Sequence, residues 1–251
     1  MATVAGRLMS DSQPGPELSM KAAFLMRSSE ESDRAVAARK IPTQVLHFTH
    51  VDHLPSLIRH GLLADSVVQG NGFLTNEVGN RQIKDGRRTR RVPIATGGVV
   101  ADYVPFYFAP RSPMMFSISK GNVPSYTGGT HRLIYLQSSL ERLHELDHSV
   151  ILTDRNARKA VAAFRQFNPS DPVDDGFIDW PLMSARYWSQ TVEQPDRRER
   201  RMAEALVHRQ VAWQAVTGIV GQNPQVVDEV NEMLSQAQVL VPVKLQPEWY
   251  F

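Results

Sequence analysis

Residues 46–63, LHFTHVDHLPSLIRHGLL, contain the pattern on which the prediction of the fold depends. From Gln44 to Thr49, polar and apolar side chains alternate, which predicts a β-strand. Asp52 then precedes apolar residues at helical spacing from Leu54 to Leu62, so a short helix follows the strand directly. Gly61 is a typical residue for ending such a helix. We therefore place the start of the folded domain just before this strand.

The rest of the chain contains further strand and helix patterns, with a long loop near the start. Strands are predicted at Tyr103–Pro110, His131–Gln137, Val150–Thr153, Ala203–His208, Val216–Val220 and Val239–Val243. Helices are predicted at Ser139–Leu146, Arg155–Phe167, Leu182–Trp188 and Pro224–Leu234, and Met114–Ile118 is either a helix or a strand. Residues 67–98 are predicted to form a functional loop with one helix. These elements predict an α+β domain with a mostly antiparallel sheet and surrounding helices.

Residues 1–40 are rich in Ser, Pro, Gly and Ala, and we predict a flexible leader there, before a domain at residues 41–251. The chain has 251 residues, of which 42% are hydrophobic and 22% charged, so it is long enough for one sizeable core. It contains no cysteine, which excludes disulfides and thiolate metal sites. No apolar run reaches the roughly 20 residues of a membrane helix, and a signal-peptide pattern is absent. We expect a soluble, cytoplasmic protein without a membrane partner.

Three histidines that recur every third residue, His47, His50 and His53, suggest a metal site. His47 lies in the predicted strand and His53 in the helix, so they do not share the helical face of an i, i+4 zinc motif. We therefore expect no bound metal. The chain also lacks the GxSxG, GxGxxG and GxxxxGK[ST] motifs, which excludes the nucleophile elbow of hydrolases and the common phosphate-binding loops.

Positive charge is concentrated in RQIKDGRRTRR, residues 81–91, although the formal net charge of the whole chain is only +2. A second cluster, DRRERRMAE at residues 196–204, mixes both signs. The usual role of such runs is a solvated surface. The alternative is contact with the phosphates of a nucleic acid.

Four further blocks follow the strand–helix unit in order: DYVPFYFAPRSPMMF at 102–116, IYLQSSL at 134–140, FIDWPLMSARYW at 177–188 and RRMAEALVH at 200–208. Together with His47, Thr49 and the Gly61-Leu62 helix ending, they resemble the DarT family of DNA ADP-ribosyltransferase toxins. The resemblance extends over residues 43–251. It implies an ADP-ribosyltransferase-like fold, in which a split, mostly antiparallel sheet with surrounding helices forms a cleft for NAD.

The resemblance implies NAD as co-substrate and gives several residues a role in binding it. His47 would donate a hydrogen bond to a ribose hydroxyl and Thr49 would hold the nicotinamide amide, whereas a lone strand histidine is otherwise a satisfied core residue. Tyr107 would stack on nicotinamide and Arg111 would pair with a phosphate. The structural alternatives for this pair are a buried strand aromatic and an arginine that supports the fold.

The family's catalytic carboxylate lies on a strand near the C-terminus, and Glu204 matches it. Such a carboxylate stabilises the positive charge that develops on ribose and accepts a proton from the nucleophile. The alternative is an ordinary surface glutamate, although the apolar run Ala205–Val207 favours a buried position with a purpose.

The resemblance also gives the basic run a role at the reaction centre. Arg87, in the segment Asp85-Gly86-Arg87 ahead of Val92-Pro93, matches an arginine that the family requires, and it would also contact NAD. Arg81 and Arg88 are the alternatives for this position.

Chemistry on a base edge requires an unpaired base, so the resemblance implies single-stranded DNA as the partner. The predicted DNA-binding residues are Arg88, Arg90 and Arg91 for the phosphates and Trp180, Tyr187 and Trp188 for stacking on bases. A core position is the alternative for Trp188.

The expected function is therefore motif-dependent transfer of ADP-ribose from NAD to a base, thymidine, in single-stranded DNA. The resemblance further implies a toxin whose partner is a macrodomain antitoxin of the DarG kind. Transfer to RNA or protein is an alternative within the superfamily. A non-catalytic nucleic-acid-binding module of the same fold is the alternative from another class.

Overall fold

The computed structural model describes residues 39–71, 78–94, 96–172 and 175–251. Strands within these ranges are β1 Gln44–His50, β2 Leu62–Leu63, β3 Tyr103–Tyr107, β4 Leu133–Ser139, β5 Val150–Thr153, β6 Phe164–Gln166, β7 Glu204–His208, β8 Gln210–Val211, β9 Gly218–Gly221 and β10 Val243–Leu245. Helices are α1 Leu54–His60, α2 Asp65–Asn71, α3 Arg81–Thr89, α4 Pro113–Ser119, α5 Leu140–Glu145, α6 Trp180–Ser184, α7 Arg197–Arg200 and α8 Pro224–Gln236. None of these helices is long and apolar enough to cross a membrane.

Eight strands form one sheet in the order β10-β9-β4-β1-β3-β7-β5-β6, and β2 pairs with β8. Every described neighbour pair is antiparallel except β9 with β10. The predicted α+β class with a mostly antiparallel sheet is therefore confirmed.

The sheet is nearly divided between β1 and β3. β1 pairs with β4 along all seven of its residues but with β3 only at Leu46, which lies opposite Tyr107. Pro105 of β3 has no N–H to donate to a neighbouring strand, and its carbonyl oxygen accepts a hydrogen bond from the His47 side chain. The two halves of the sheet therefore separate beside His47.

The register of β3 and β7 puts polar side chains beside this opening. Tyr107 lies opposite Leu46 on one side and opposite Glu204 on the other, and Glu204 lies opposite Thr153 of β5. Directly opposite residues project from the same face of a sheet, so Tyr107 and Glu204 share a face. Because successive side chains alternate between faces, a slip of one residue in β7 would move Glu204 to the other face.

Apolar side chains from both halves of the sheet form one continuous core. Val45 of β1, Phe106 of β3 and Ala205 of β7 are buried in the same cluster, with Val226 and Val230 of α8. This shared core holds the two halves together although their backbones are hydrogen-bonded at one residue pair.

Most predicted elements are confirmed, and their ends have local causes. Gly61 ends α1 with φ of 72°, a conformation that favours glycine, and a Cβ there would lie 2.2 Å from the Val211 carbonyl oxygen. Ser139 Oγ accepts a hydrogen bond from the Arg142 N–H (3.0 Å) and thereby caps α5.

The helix predicted at Arg155–Phe167 is wrong. The chain makes turns there and then forms β6, which pairs with β5 at the edge of the sheet. Asp154 Oδ1 accepts a hydrogen bond from the Ala163 N–H (2.9 Å), and Asn156 Oδ1 accepts one from the Arg158 N–H (3.0 Å). These carboxylate and amide oxygens bind backbone donors locally, which favours turns over a helix.

Three other predictions differ from the structure in the bounds or the number of the elements. The helix predicted at Leu182–Trp188 is α6, which starts earlier because Asp179 accepts a hydrogen bond from the Leu182 N–H (3.0 Å). The strand predicted at Val239–Val243 forms later, as β10, because the Val239 N–H is bonded to a carbonyl of α8. The region 67–98 contains part of α2 and all of α3, where one helix was predicted. Residues 1–38 of the predicted leader lie outside the described residues, so the leader stays a prediction.

Candidate functional site

A cavity of about 270 Å³ lies where β1 and β3 separate. Ligand sites in proteins typically have roughly 300–1,000 Å³, so the cavity is slightly smaller than that range. Side chains of β1, β3, α2 and α3 and of the connection between β5 and β6 line it, including His47, Phe48, Thr49, Asp65, Lys84, Arg87, Pro105, Tyr107 and Asn156.

Arg87 and Glu204 form a buried ion pair beside this cavity. Arg87 Nη1 donates to both carboxylate oxygens of Glu204, at 3.0 Å from Oε1 and 2.8 Å from Oε2. The Glu204 side chain is fully buried and that of Arg87 is 13% exposed. Nη2 of Arg87 is buried and has no hydrogen-bond partner within the described residues. The pair thus leaves one guanidinium nitrogen available to a ligand.

His47 is held in one tautomer by its neighbour on β3. Its Nδ1 lies 2.8 Å from the Pro105 carbonyl oxygen, which can only accept, so Nδ1 carries the proton. Burial lowers the pKa of His47 below 6.5, and the nearby His53 and Arg87 lower it further against the opposing effect of the Pro105 bond. The ring is therefore neutral near pH 7, and its Nε2 is a hydrogen-bond acceptor. A ribose hydroxyl would therefore donate a hydrogen bond to His47, whereas the resemblance implied that the histidine donates to the hydroxyl.

Thr49 and Tyr107 complete the β1–β3 side of the cavity. Thr49 Oγ1 lies 2.8 Å from His53 Nδ1, so its hydroxyl already has one partner. The Tyr107 ring lies nearly parallel to that of Phe48, with centroids 6.2 Å apart. Burial, followed by the Glu204 carboxylate, raises the pKa of the Tyr107 phenol, which therefore stays protonated.

Asp65, which the sequence interpretation missed, fixes the helix that carries Arg87. Its carboxylate lies 2.8 Å from Lys84 Nζ and accepts hydrogen bonds from Arg88 Nε (3.2 Å) and Nη2 (3.1 Å). Lys84 and Arg88 are four residues apart on α3 and therefore lie on one face of the helix. Two cations at this spacing were the signal in the sequence for a missing counter-charge.

The arginines predicted to contact DNA phosphates differ in how many partners they already have within the protein. Arg88 is paired with Asp65 and also with Asp85 (2.7 Å). Arg90 donates from Nη2 to the Ala160 carbonyl oxygen (3.1 Å) and lies over the Phe164 ring. Arg91 is exposed. Arg88 and Arg90 thus support the packing of α3, and their contact with DNA stays a prediction.

Arg111, the predicted phosphate ligand of NAD, does not line the cavity. Its Nη1 donates to the Tyr250 carbonyl oxygen (2.5 Å), and its guanidinium lies 4.1 Å from the centroid of the Phe251 ring. These contacts account for Arg111 as a residue that supports the fold, the structural alternative given above.

Of the three predicted stacking residues, only Tyr187 is exposed, at 74% of its surface. Trp180 packs edge-on against Phe108, with ring centroids 5.3 Å apart. Trp188 packs edge-on against Phe116 at 5.9 Å. Both tryptophans border the main core, so Tyr187 is the ring of this set that a base can reach.

Arg201, also missed, ties the segment that contains α6 to the rest of the site. It is 4% exposed and donates to the carbonyl oxygens of Leu182, Met183 (2.8 Å) and Pro110 (2.8 Å). Burial lowers the pKa of Arg201 to about 10, so it remains charged at neutral pH. No local pattern in the sequence separates Arg201 from the arginines next to it. In the described part of the chain, no group of three His, Asp or Glu side chains could hold a metal ion.

Comparison with known proteins agrees with this fold. The family model "DarT: ssDNA thymidine ADP-ribosyltransferase" matches residues 46–251. A DNA ADP-ribosyl transferase of Thermus sp. (strain 2.9) is 32% identical over 213 residues, which cover 84% of this chain and 97% of that protein. One of Mycobacterium tuberculosis (strain ATCC 25618 / H37Rv) is 32% identical over 211 residues, covering 82% and 88%.

Solved structures give the same result. Thermus sp. 2.9 DarT in complex with ADP-ribosylated ssDNA superposes with a TM-score of 0.76 at 31% identity, covering 85% of this chain and 99% of that one. The same DarT in complex with NAD+ has a TM-score of 0.72 at 30% identity and covers 84% and 99%. The chain therefore belongs to the DarT family of single-stranded DNA thymidine ADP-ribosyltransferases.

Proposed function

We propose that this chain transfers ADP-ribose from NAD to thymidine in single-stranded DNA, with Glu204 and Arg87 at the reaction centre. The observation that carries the proposal is the fully buried Glu204 carboxylate, bonded through both oxygens to Arg87 at the cavity where the sheet separates. A buried ion pair does not contribute to solubility, and replacing both of its charged residues by apolar ones is often neutral for stability. A catalytic role explains why the charges are kept there.

The residues present fit the binding of NAD. The unpartnered Nη2 of Arg87 and the Nε2 of neutral His47 offer a donor and an acceptor to a polar ligand. Thr49 and Tyr107 line the same cavity and would hold the nicotinamide end. The chemistry that NAD supplies when bound is exchange of the bond between ribose and nicotinamide for a bond between ribose and the base.

Glu204 has two tasks in this proposal. Its negative charge stabilises the positive charge that develops on ribose, and the effect is strong because burial removes competing water. The carboxylate also accepts the proton that the base loses. Arg87 orients the carboxylate through two hydrogen bonds, and its second nitrogen remains free to donate to the substrates.

Tyr187 and the exposed Arg91 are proposed to hold the DNA strand. An exposed ring is a stacking platform for an unpaired base, and arginine contacts phosphates. We also propose that the protein acts in the cytoplasm, as the toxin of a pair with a macrodomain antitoxin of the DarG kind, as family membership implies.

Labelled NAD tests the function directly. The protein is incubated with NAD carrying the label in its ADP-ribose part and, separately, with single-stranded DNA, duplex DNA, RNA or protein. Label in single-stranded DNA that contains thymidine, and not in a matched oligonucleotide without thymidine, is the expected result. Label in RNA or protein supports the alternative transferase. No label in any pool, with DNA binding intact, supports the non-catalytic module.

A further inference from the structure

We propose that Arg158 contacts a phosphate of the single-stranded DNA at the rim of the site. Nothing in the sequence interpretation singled out this residue, because it lies in the segment that was predicted to be helical. The inference rests on the proposed function, since it concerns how the same site holds its DNA.

The first observation is a glycine inside α3. Gly86 lies in the middle of this nine-residue helix, where glycine disfavours helix formation by roughly 1 kcal/mol relative to alanine. A Cβ at Gly86 would lie 2.2 Å from Arg158 Nε and 2.9 Å from its Cδ. The glycine therefore lets the Arg158 side chain cross the helix in direct contact with its backbone.

This contact puts Arg158 at the edge of the cavity. Gly86 directly precedes Arg87, which lines the cavity, and Asn156, two residues before Arg158, lines it as well. Arg158 itself is exposed and is not among the lining residues. A strand that brings a base to Glu204 and Arg87 would thus pass over Arg158.

The segment that carries Arg158 is fastened on both sides. Arg155 pairs with Asp196 (3.2 Å), and Lys159 pairs with Glu199. On the other side, the Ala160 carbonyl oxygen accepts a hydrogen bond from Arg90 of α3 (3.1 Å). A cation on a fixed segment loses less conformational entropy on binding than one on a free loop.

The charge of Arg158 is available to a ligand. No carboxylate of a described residue lies within 4.0 Å of its guanidinium, whereas Arg88 has two acidic partners and Lys159 has one. An exposed arginine without an acidic partner suits a phosphodiester. We assign it to DNA and not to the phosphates of NAD because it lies outside the cavity.

Arg158→Ala tests the assignment by DNA binding without NAD. The dissociation constant of a fluorescein-labelled single-stranded oligonucleotide that contains thymidine is measured by anisotropy at several salt concentrations. Loss of one phosphate contact should weaken binding about threefold to tenfold and reduce the slope of log affinity against log salt by roughly 0.7. The affinity for NAD, measured by calorimetry, should stay within about twofold of the wild type because no contact with NAD is lost.

Lys244→Ala is the matched control, because it removes the same charge from exposed β10 at the far edge of the sheet. An unchanged DNA affinity and salt slope in Arg158→Ala would overturn the inference. An equal loss of DNA affinity in Lys244→Ala would overturn it as well, and so would a loss of NAD affinity alone in Arg158→Ala. If Arg158→Ala does not fold, Arg158→Gln decides in the same assay. Transfer of label to DNA by the wild type tests the proposed function separately.

Discussion

Glu204 and Arg87 show how strongly a single buried pair constrains this site. Each oxygen of Glu204 is bonded to Nη1 of Arg87, and neither side chain has more than slight exposure. Removing one member of a buried pair typically costs about 3–5 kcal/mol, since the other charge is left uncompensated. A substitution at Glu204 therefore affects stability and chemistry together, unless the new side chain still accepts hydrogen bonds.

Glu204→Gln separates the two effects. The amide oxygen can still accept from Arg87, so we expect a folded protein, with an unfolding temperature below that of the wild type because the Arg87 charge loses its carboxylate partner. Transfer at saturating NAD and DNA should fall at least about 100-fold, because the negative charge that stabilises ribose is lost. The rate of label transfer measures this loss. Activity within about tenfold of the wild type would remove Glu204 from the catalytic role.

His47→Ala should weaken NAD binding, because it removes an acceptor from the cavity wall. In the wild type, NAD affinity should be constant above pH 6.5 and fall below it, as the lowered pKa of His47 is approached and Nε2 gains a proton. Calorimetry across pH 5 to 8 measures both effects.

The lowered pKa of His47 also predicts how the free energy of unfolding changes with pH. The unfolded chain binds the His47 proton at higher pH than the native protein, so stability should decrease as pH falls from 6.5 and should level off above it. His50 and His148 have pKa values lowered by burial as well, so His47→Gln should reduce this dependence without abolishing it. An identical pH dependence in wild type and variant would show that His47 titrates alike in both states.

Among single residues, the sequence revealed those whose type and position match a chemical role. His47, Arg87 and Glu204 come from three separate blocks of the chain; in the structure His47 and Arg87 line one cavity, and Glu204 is bonded to Arg87. Asp65 and Arg201 were missed because their roles depend on partners far away in the sequence. The spacing of Lys84 and Arg88 indicates a missing counter-charge but not that Asp65 supplies it, and one arginine among several has no local pattern that reveals its partners.

At the scale of elements, the segment of α6 and strand β7 act as a connected unit. Arg201 lies three residues before Glu204 and donates to carbonyl oxygens at the end of α6 and after β3. The exposed Tyr187 follows α6 directly. The position of the proposed stacking residue relative to Glu204 therefore depends on Arg201, together with Arg197, which donates to the Tyr187 carbonyl oxygen (3.1 Å).

Arg201→Lys should loosen the segment that contains α6, because an ammonium group cannot reach all of these carbonyl oxygens at once. Each buried carbonyl left without a donor costs about 1–3 kcal/mol, so the unfolding temperature should fall. The KM for single-stranded DNA should rise severalfold while the affinity for NAD stays the same. Arg198→Lys, at an exposed position of α7, is the control. A rise in the dissociation constant for NAD alone would contradict this role.

Strands with clear alternation and helices with capping residues were predictable, such as β1 and α8. The segment Arg155–Phe167 was not, because its apolar spacing suits a helix and its turns depend on hydrogen bonds from Asp154 and Asn156. The near-division between β1 and β3 was expected from the family resemblance only. Nothing in the local pattern of β1 shows that it pairs fully with one neighbour and at one residue with the other.

For the whole molecule, every cavity-lining residue in the described ranges lies between His47 and Met202, and the family match begins at Leu46. Deletion of residues 1–38 should therefore leave NAD affinity and the transfer rate within about twofold of the full chain. The deletion keeps Arg39, which lies 5.3 Å from the centroid of the Phe167 ring. Steady-state kinetics of both proteins measure the effect. A large loss of transfer would give the predicted leader a part in the reaction.

The single backbone pair between Leu46 and Tyr107 has a mechanical consequence. His47 is carried by one half of the sheet and Glu204 by the other, so a ligand that touches both residues adds a link across this seam to the one that the His47–Pro105 hydrogen bond already makes. Hydrogen–deuterium exchange should then slow on both sides of the seam when NAD is added, at amides of β1 and of β3 together.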